Sequence, residues 1–258
     1  MKINILTIGS RGDVQPYVAL GMGLKKAGHA VQISTHERFR DFIESRGLEF
    51  FPVTGDPLKM LETDAGREWL ETEKNPFAML KQLKDLAEPE MFDIMNSLWR
   101  SCRNNPDLIA FNPLVALASN SIAEKLGIPA VPAYLTHVHP TREFPPPIAS
   151  PLPFFGRILN PLFYQLVGKF YWYLMGPATN KWRRETLNLP HISREGPFNK
   201  WLRQKRPCIY GFSRHVIPRP PEWRKEISIT GYWFLDTDKS WQPPTDLAAI
   251  IKSGPVPV

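Results

Sequence analysis

Cysteine is scarce in this chain: Cys102 and Cys208 are the two present, far apart and without the spacing of metal ligands. That scarcity argues against a disulfide framework or a cysteine-built zinc site, and the pair reads as reduced core thiols of a cytoplasmic protein. No uninterrupted apolar run reaches the roughly 18 residues that a membrane-crossing helix needs. The start, Met1-Lys2-Ile3-Asn4, enters an apolar segment directly and leaves no room for a signal peptide. Arginine-rich runs and nucleic-acid motifs are missing, as are internal repeats and low-complexity tracts. Gly9, Gly12, Gly21 and Gly23 do not form G-x-G-x-x-G, so a nicotinamide- or flavin-dependent enzyme lacks its fingerprint. What remains is a chain with 43% hydrophobic residues, enough for a substantial core, and a formal charge of +7. With nucleic acid set aside, that charge suits a basic surface facing anionic surroundings such as a membrane periphery.

The chain is organised around Ile5-Leu6-Thr7-Ile8-Gly9-Ser10-Arg11-Gly12-Asp13-Val14-Gln15-Pro16. The β-branched run from Ile3 to Ile8 reads as a buried strand. Gly9 and Gly12 permit a sharp turn, and Pro16 is pre-set for a helix's first turn. Tyr17, Leu20, Leu24 and Ala27 follow at helical spacing, and Gly28 offers a left-handed stop. Strand, tight loop and helix present Ser10, Arg11 and Asp13 at the strand's carboxyl end, where open α/β sheets bind ligands.

Further strand and helix signals alternate. Strands are expected at Val31–Ser34, Leu48–Val53, Leu108–Phe111, Ala130–Leu135, Cys208–Phe212 and Ile227–Thr230. Helices are expected at His36–Arg46 and Val115–Leu126, with a short one or an ordered loop at Met60–Trp69. A long amphipathic helix is expected at Phe77–Cys102, kinked at Pro89. Trp182–Leu187 reads as part of a further helix. Short connections indicate right-handed parallel crossovers, hence an α/β, Rossmann-like doubly wound parallel sheet. The prolines between Arg142 and Pro153 make a stiff loop. Phe154–Met175 is densely aromatic but interrupted by Arg157, Gln165 and Lys169, so it does not cross a bilayer cheaply. It reads as the lining of a pocket for a flat apolar ligand, as a membrane-interface segment, or as an ordinary core helix pair. Its mixed polarity predicts poor order until a partner buries it.

Gly9-Ser10-Arg11-Gly12-Asp13-Val14-Gln15-Pro16, continuing to Gly28-His29-Ala30-Val31, resembles the opening of sterol-glucosyltransferase-like enzymes. These are a branch of the two-domain GT-B glycosyltransferases. The resemblance recurs at Trp182-Arg183-Arg184-Glu185-Thr186-Leu187 and at Ile229-Thr230-Gly231-Tyr232-Trp233-Phe234. It covers essentially the whole chain but only the amino-terminal half of such an enzyme. It implies an acceptor-binding domain over residues 1–240 and an interdomain linker over 241–258, leading to a donor domain outside the chain. It also implies a UDP-sugar co-substrate, no metal or other cofactor, and a hydroxylated apolar acceptor that is lipid, sterol-like or polycyclic. On this reading the chain alone transfers no sugar. The alternative is a non-catalytic apolar-ligand binding module, or a subunit that pairs with a separate donor-domain chain.

Transfer of a sugar to an alcohol needs a base beside the acceptor oxygen, since an alcohol is a weak nucleophile while it keeps its proton. The resemblance assigns that role to Asp13, and no histidine lies between Met1 and Pro16 to compete. The other use for Asp13 is as a cap for the helix at Pro16. Ser10 is placed to hydrogen-bond Asp13 or the acceptor, and Arg11 to raise the acidity of Asp13 by pairing with it. Gly12 and Arg11 complete the loop's substrate-facing surface. Asn112, at another strand end, is a candidate for orienting the acceptor or the base. Thr136, His137, His139 and Phe144 are candidates for lining the pocket. Period-two alternation would point both histidines the same way, which suits a metal. Glu143 is the one further ligand nearby, so pocket lining is preferred.

Overall fold

A computed structural model of the protein describes residues 1–55, 90–147, 156–236 and 242–254. The segment Met60–Trp69, the first part of the helix expected from Phe77 with its Pro89, and Phe154 with Phe155 lie outside the described residues. The elements run β1 (Lys2–Leu6), α1 (Gln15–Lys26), β2 (Ala30–His36), α2 (Arg40–Glu44) and β3 (Glu49–Val53). Then come α3 (residues 90–101), β4 (Leu108–Phe111), α4 (Ala116–Leu126) and β5 (Ala130–Tyr134). The chain continues with α5 (Gly156–Glu185), α6 (Phe198–Arg203), β6 (Cys208–Tyr210), β7 (Ile227–Ile229) and α7 (Thr245–Ser253).

The seven strands form one sheet in the order β3-β2-β1-β4-β5-β6-β7, every pair parallel. The α/β, doubly wound arrangement expected from the alternating elements is the one formed. Pleat alternation divides the core. Ile3, Ile5, Val31 and Ile33 pack on one face with Tyr17 and Val18 of α1. Leu6, Ile109 and Phe111 pack on the other with Leu98, Ile122 and Trp182. Asn4 falls on that second face, fully buried, and the fold satisfies it. Its Nδ2 donates to the Ser101 carbonyl at 3.1 Å and its Oδ1 accepts from Ser34 Oγ at 2.9 Å. Both cysteines are free and buried.

One expectation needs correction. The aromatic segment and Trp182–Leu187 do not belong to separate elements: α5 is one helix of 30 residues with Pro161 and Pro177 inside it. Tyr164, Trp172 and Leu174 are buried, while Ile158, Leu162, Leu166, Phe170 and Tyr173 form an outward stripe. The resemblance-bearing Trp182-Arg183 pair anchors the end of this helix. Trp182 Nε1 donates to Asn96 Oδ1 at 2.9 Å, and Arg183 grips Glu124 with two hydrogen bonds at 2.9 and 3.2 Å. Arg183 also donates to Ser121 Oγ and the Pro190 carbonyl, so its buried charge is matched on every side. α6 and α7 have no counterpart in the expected elements, and α7, within the expected linker, has no buried residue.

Candidate active site

The chain begins at β1, winds outward to β3, and returns to β4 on the other side of β1. The strand order therefore reverses between β1 and β4, and the crevice outside the carboxyl ends of those two parallel strands is where such sheets take ligands. The two loops flanking it are residues 7–14 and 112–115. They hold five of the residues singled out from the sequence: Ser10, Arg11, Gly12, Asp13 and Asn112.

Gly9 makes the turn possible. Its φ is +121°, and a Cβ there would lie 2.5 Å from Asp13 Oδ2, so a side chain would both strain the backbone and expel the carboxylate. Gly12 has no such constraint and sits in a short 3-10 turn, Arg11–Asp13. Asp13 Oδ2 accepts from Ser10 twice, from the backbone N–H and from Oγ, each at 2.8 Å. Asp13 thus closes its own turn; it does not cap α1, whose first flanking residue is Val14 and which has no side-chain cap. The second oxygen, Oδ1, makes no hydrogen bond among the described residues. Arg11 does not pair with Asp13. Its Nε donates to Gln15 Oε1 at 3.0 Å and its guanidinium stacks 5.0 Å from the Phe42 ring centre.

Asn112 supports this turn from below. It is buried, and its Nδ2 donates to Thr7 Oγ1 at 3.0 Å and to the Ile8 carbonyl at 2.9 Å, while Oδ1 accepts from Val115 N–H at 3.3 Å. Thr7 Oγ1 in turn donates to the Asp13 carbonyl. The end of β4 is thereby tied to the backbone of Asp13. Asn112 is too enclosed to touch an acceptor, so orienting the loop is the role its geometry allows.

The loop after β5 carries the other candidates, and the two histidines diverge. His137 Nε2 donates to the Pro145 carbonyl at 3.0 Å, and its ring meets Phe144 edge-on at 4.5 Å. His139 turns to Tyr210, whose hydroxyl lies 2.6 Å from its Nδ1. Among the described residues no group of His, Cys, Asp and Glu is placed to hold a metal ion. Thr136 and His139 line a cavity of about 390 Å³ between the β5–β7 part of the sheet and helices α5 and α6. Leu114, Tyr134, Tyr164, Val167, Tyr171 and Trp201 supply its apolar walls. Tyr164 and Tyr171 come from the aromatic stretch flagged in the sequence; Tyr134, Leu114 and Trp201 had no local signal.

The N-terminal domain of glycosyltransferase family 28 matches residues 3–145. The chain belongs to that family. The match begins in β1 and ends at Pro145, so it takes in both loops described above. Sterol 3-beta-glucosyltransferase of Glomerella lagenarium is 37% identical over 97% of this chain and 16% of its own length. The enzyme of the same name from Neurospora crassa is 38% identical, again over 97% of this chain and 16% of its own. The chain thus spans about one sixth of the curated relatives it matches. Among solved structures, the calicheamicin glycosyltransferase CalG4 superposes with a TM-score of 0.58 at 18% identity, covering 94% of this chain and 55% of that one. The kitacinnamycin glycosyltransferase gives 0.57 at 16% identity, with 95% and 55% covered. These likenesses show the fold of this family 28 domain, an α/β sheet domain shared with glycosyltransferases of solved structure.

One titration in the family 28 domain is set by the cavity. Burial, with Arg224 nearby as the second cause, pulls His139 down from 6.5 to about 4. The unfolded chain takes up a proton below pH 6.5 that the folded chain refuses, so this residue's share of stability is intact above 6.5 and lost toward 4. Wild type should lose up to about 3 kcal/mol more than His139→Gln between those values in urea denaturation. Equal pH dependence in the two proteins would contradict the burial of a neutral imidazole.

Proposed function

We propose that this chain is the acceptor-binding half of a UDP-sugar-dependent glycosyltransferase. It presents a hydroxyl of a lipid, sterol-like or polycyclic acceptor to a hexose donor. The observation that carries the reading is an unbonded Asp13 Oδ1 at the sheet's switch point, in a domain whose apolar cavity reaches the neighbouring strand-end loops at Leu114 and Thr136. Family membership and the sterol 3-beta-glucosyltransferase relatives support the choice of reaction and acceptor. In this scheme Asp13 Oδ1 takes the hydroxyl proton as the acceptor oxygen bonds to the anomeric carbon. The bond from that carbon to the donor phosphate breaks, and UDP leaves with the electron pair. Ser10 keeps Oδ2 turned inward so that Oδ1 faces the substrate, and Thr7 with Asn112 fixes the backbone that carries it. The nucleotide is held mainly by a donor domain outside these residues.

The test is transfer of glucose from UDP-glucose to cholesterol. The chain joined to a donor domain, in cis or in trans, should form the glucoside, and the chain alone should not. Turnover by the chain alone, or steroid binding without transfer in the joined protein, would favour the other readings. The second of those results is what a pure binding module predicts.

The outward stripe of α5 favours a membrane contact in addition. Ile158, Leu162, Leu166, Phe170 and Tyr173 recur at three- and four-residue steps, 47–76% exposed. Arg157, Lys169, Lys181 and Arg184 share the helix, which holds no acid before Glu185. Arg157 and Arg184 pair with Glu143 and Glu185, but an apolar face with Lys169 and Lys181 on the same helix fits an anionic bilayer surface, and no described helix is long and apolar enough to cross one. The chain should therefore sediment with vesicles containing phosphatidylserine and not with neutral ones, and Phe170→Glu should abolish the binding.

A further inference from the structure

The cavity between α5, α6 and the β5–β7 strands is apolar along its walls but carries a polar atom without a protein partner at each end. At the carboxyl end of β6, Tyr210 is fully buried, and its Oη accepts the backbone N–H groups of Val138 and His139, both at 3.1 Å. With both lone pairs occupied, its own proton goes to His139 Nδ1, 2.6 Å away. The imidazole proton is therefore held on Nε2. That nitrogen has no hydrogen-bond partner among the described residues and is not fully buried, so it is an accessible donor on a residue that lines the cavity. The lowered affinity of this ring for a second proton, described above, keeps it a neutral donor.

At the other end, just before β6 begins at Cys208, Gln204 also lines the cavity. Its Oε1 is buried without a hydrogen-bond partner among the described residues. An unsatisfied buried oxygen lowers stability unless something bonds to it. Tyr134, Thr136 and Glu226 also line the cavity and make no side-chain hydrogen bond among the described residues, while other polar side chains of the wall are engaged. Tyr164 and Tyr171 donate to the carbonyls of Pro145 and Leu114, Arg206 to Asn120 and Arg224 to the Arg203 carbonyl.

We infer that the cavity selects an apolar polycyclic ligand oxygenated at both ends, with one oxygen accepting from His139 Nε2–H and a hydroxyl at the far end donating to Gln204 Oε1. This rests on the reading of the cavity as the acceptor pocket and narrows it. A molecule with a single hydroxyl leaves one end unmet, and a hydrocarbon leaves both.

The test is equilibrium binding to the 258-residue chain, followed by tryptophan fluorescence, of androstanediol with hydroxyls on its first and last rings, the mono-ol androstanol, and androstane. Wild type should bind the diol about tenfold more tightly than androstanol, and androstane more weakly still by a similar factor. Gln204→Met keeps the side chain's length but removes the acceptor. It should erase the preference for the diol over the mono-ol while raising the thermal stability of the unliganded chain, because an orphaned oxygen is gone. His139→Leu should cost the diol about tenfold and leave androstane unchanged. Should the histidine variant fail to fold, the glutamine variant alone decides. Equal binding of the three compounds by wild type, or a diol preference unmoved by Gln204→Met, overturns this inference while leaving an apolar acceptor pocket standing. Binding of none of them overturns the pocket and the inference together.

Discussion

Asp13→Asn should lower the rate of sugar transfer by the assembled two-domain enzyme roughly 10²–10⁴-fold, the contribution typical of a general base. The substitution is well matched to the geometry. Asparagine keeps an oxygen that can accept from the Ser10 backbone and hydroxyl, as Oδ2 does at 2.8 Å, so the turn closes as before. What is lost is the basic oxygen beside it. Steroid affinity and melting temperature should accordingly stay near wild type while turnover collapses. Asp13→Ala should lose the turn as well, releasing Ser10 and weakening the tie through Thr7 to Asn112. If Asp13→Asn is well folded and turns over normally, Asp13 is not the base. If it melts the domain as badly as Asp13→Ala, its role is confined to closing the turn.

Trp182→Ala should remove about 3–5 kcal/mol of stability, read from urea denaturation. Domains of this kind are stable by roughly 5–15 kcal/mol, so the change takes a large share of the total. Trp182 is 0% exposed and packs in the cluster that joins α3, α4 and β4. Its removal leaves a cavity the size of an indole and strips Asn96 Oδ1 of its closer donor, leaving Thr186 Oγ1 at 3.5 Å. Arg184→Ala is the control. Arg184 is exposed and pairs with its neighbour Glu185, so its loss should stay within about 0.5 kcal/mol. Similar effects for the two would mean that the end of α5 does not anchor this face of the core.

What the sequence made legible was local. The loop after β1 announces itself because a strand, a glycine that needs positive φ, a carboxylate and a proline fall within a few residues of one another. The doubly wound sheet follows from strands and helices alternating at short range. The errors lie where partners are distant or where a period is extrapolated too far. Arg11 was expected to pair with Asp13, two residues away, but on the helical turn that follows its neighbour is Gln15, and Phe42 of α2 offers it an aromatic face. His137 and His139 were expected to point the same way, yet β5 ends at Tyr134, and alternation has no force once the chain leaves the pleat. For Asn112 the sequence leaves open whether it orients the acceptor or the base, because its partner Thr7 lies 105 residues earlier. The cavity was the least legible feature. Its walls come from Leu114, Tyr134, Tyr171 and Trp201 on separate elements, and only the crossovers bring them together.

The central claim is that this domain recognises an apolar acceptor. The most direct measurement is a calorimetric titration of the 258-residue chain with androstanol and, separately, with UDP-glucose. The account predicts saturable binding of the steroid, weakened by Tyr171→Ala in the cavity wall, and much weaker binding of the nucleotide sugar. Tight binding of UDP-glucose with none of the steroid would make this the donor half and contradict the account.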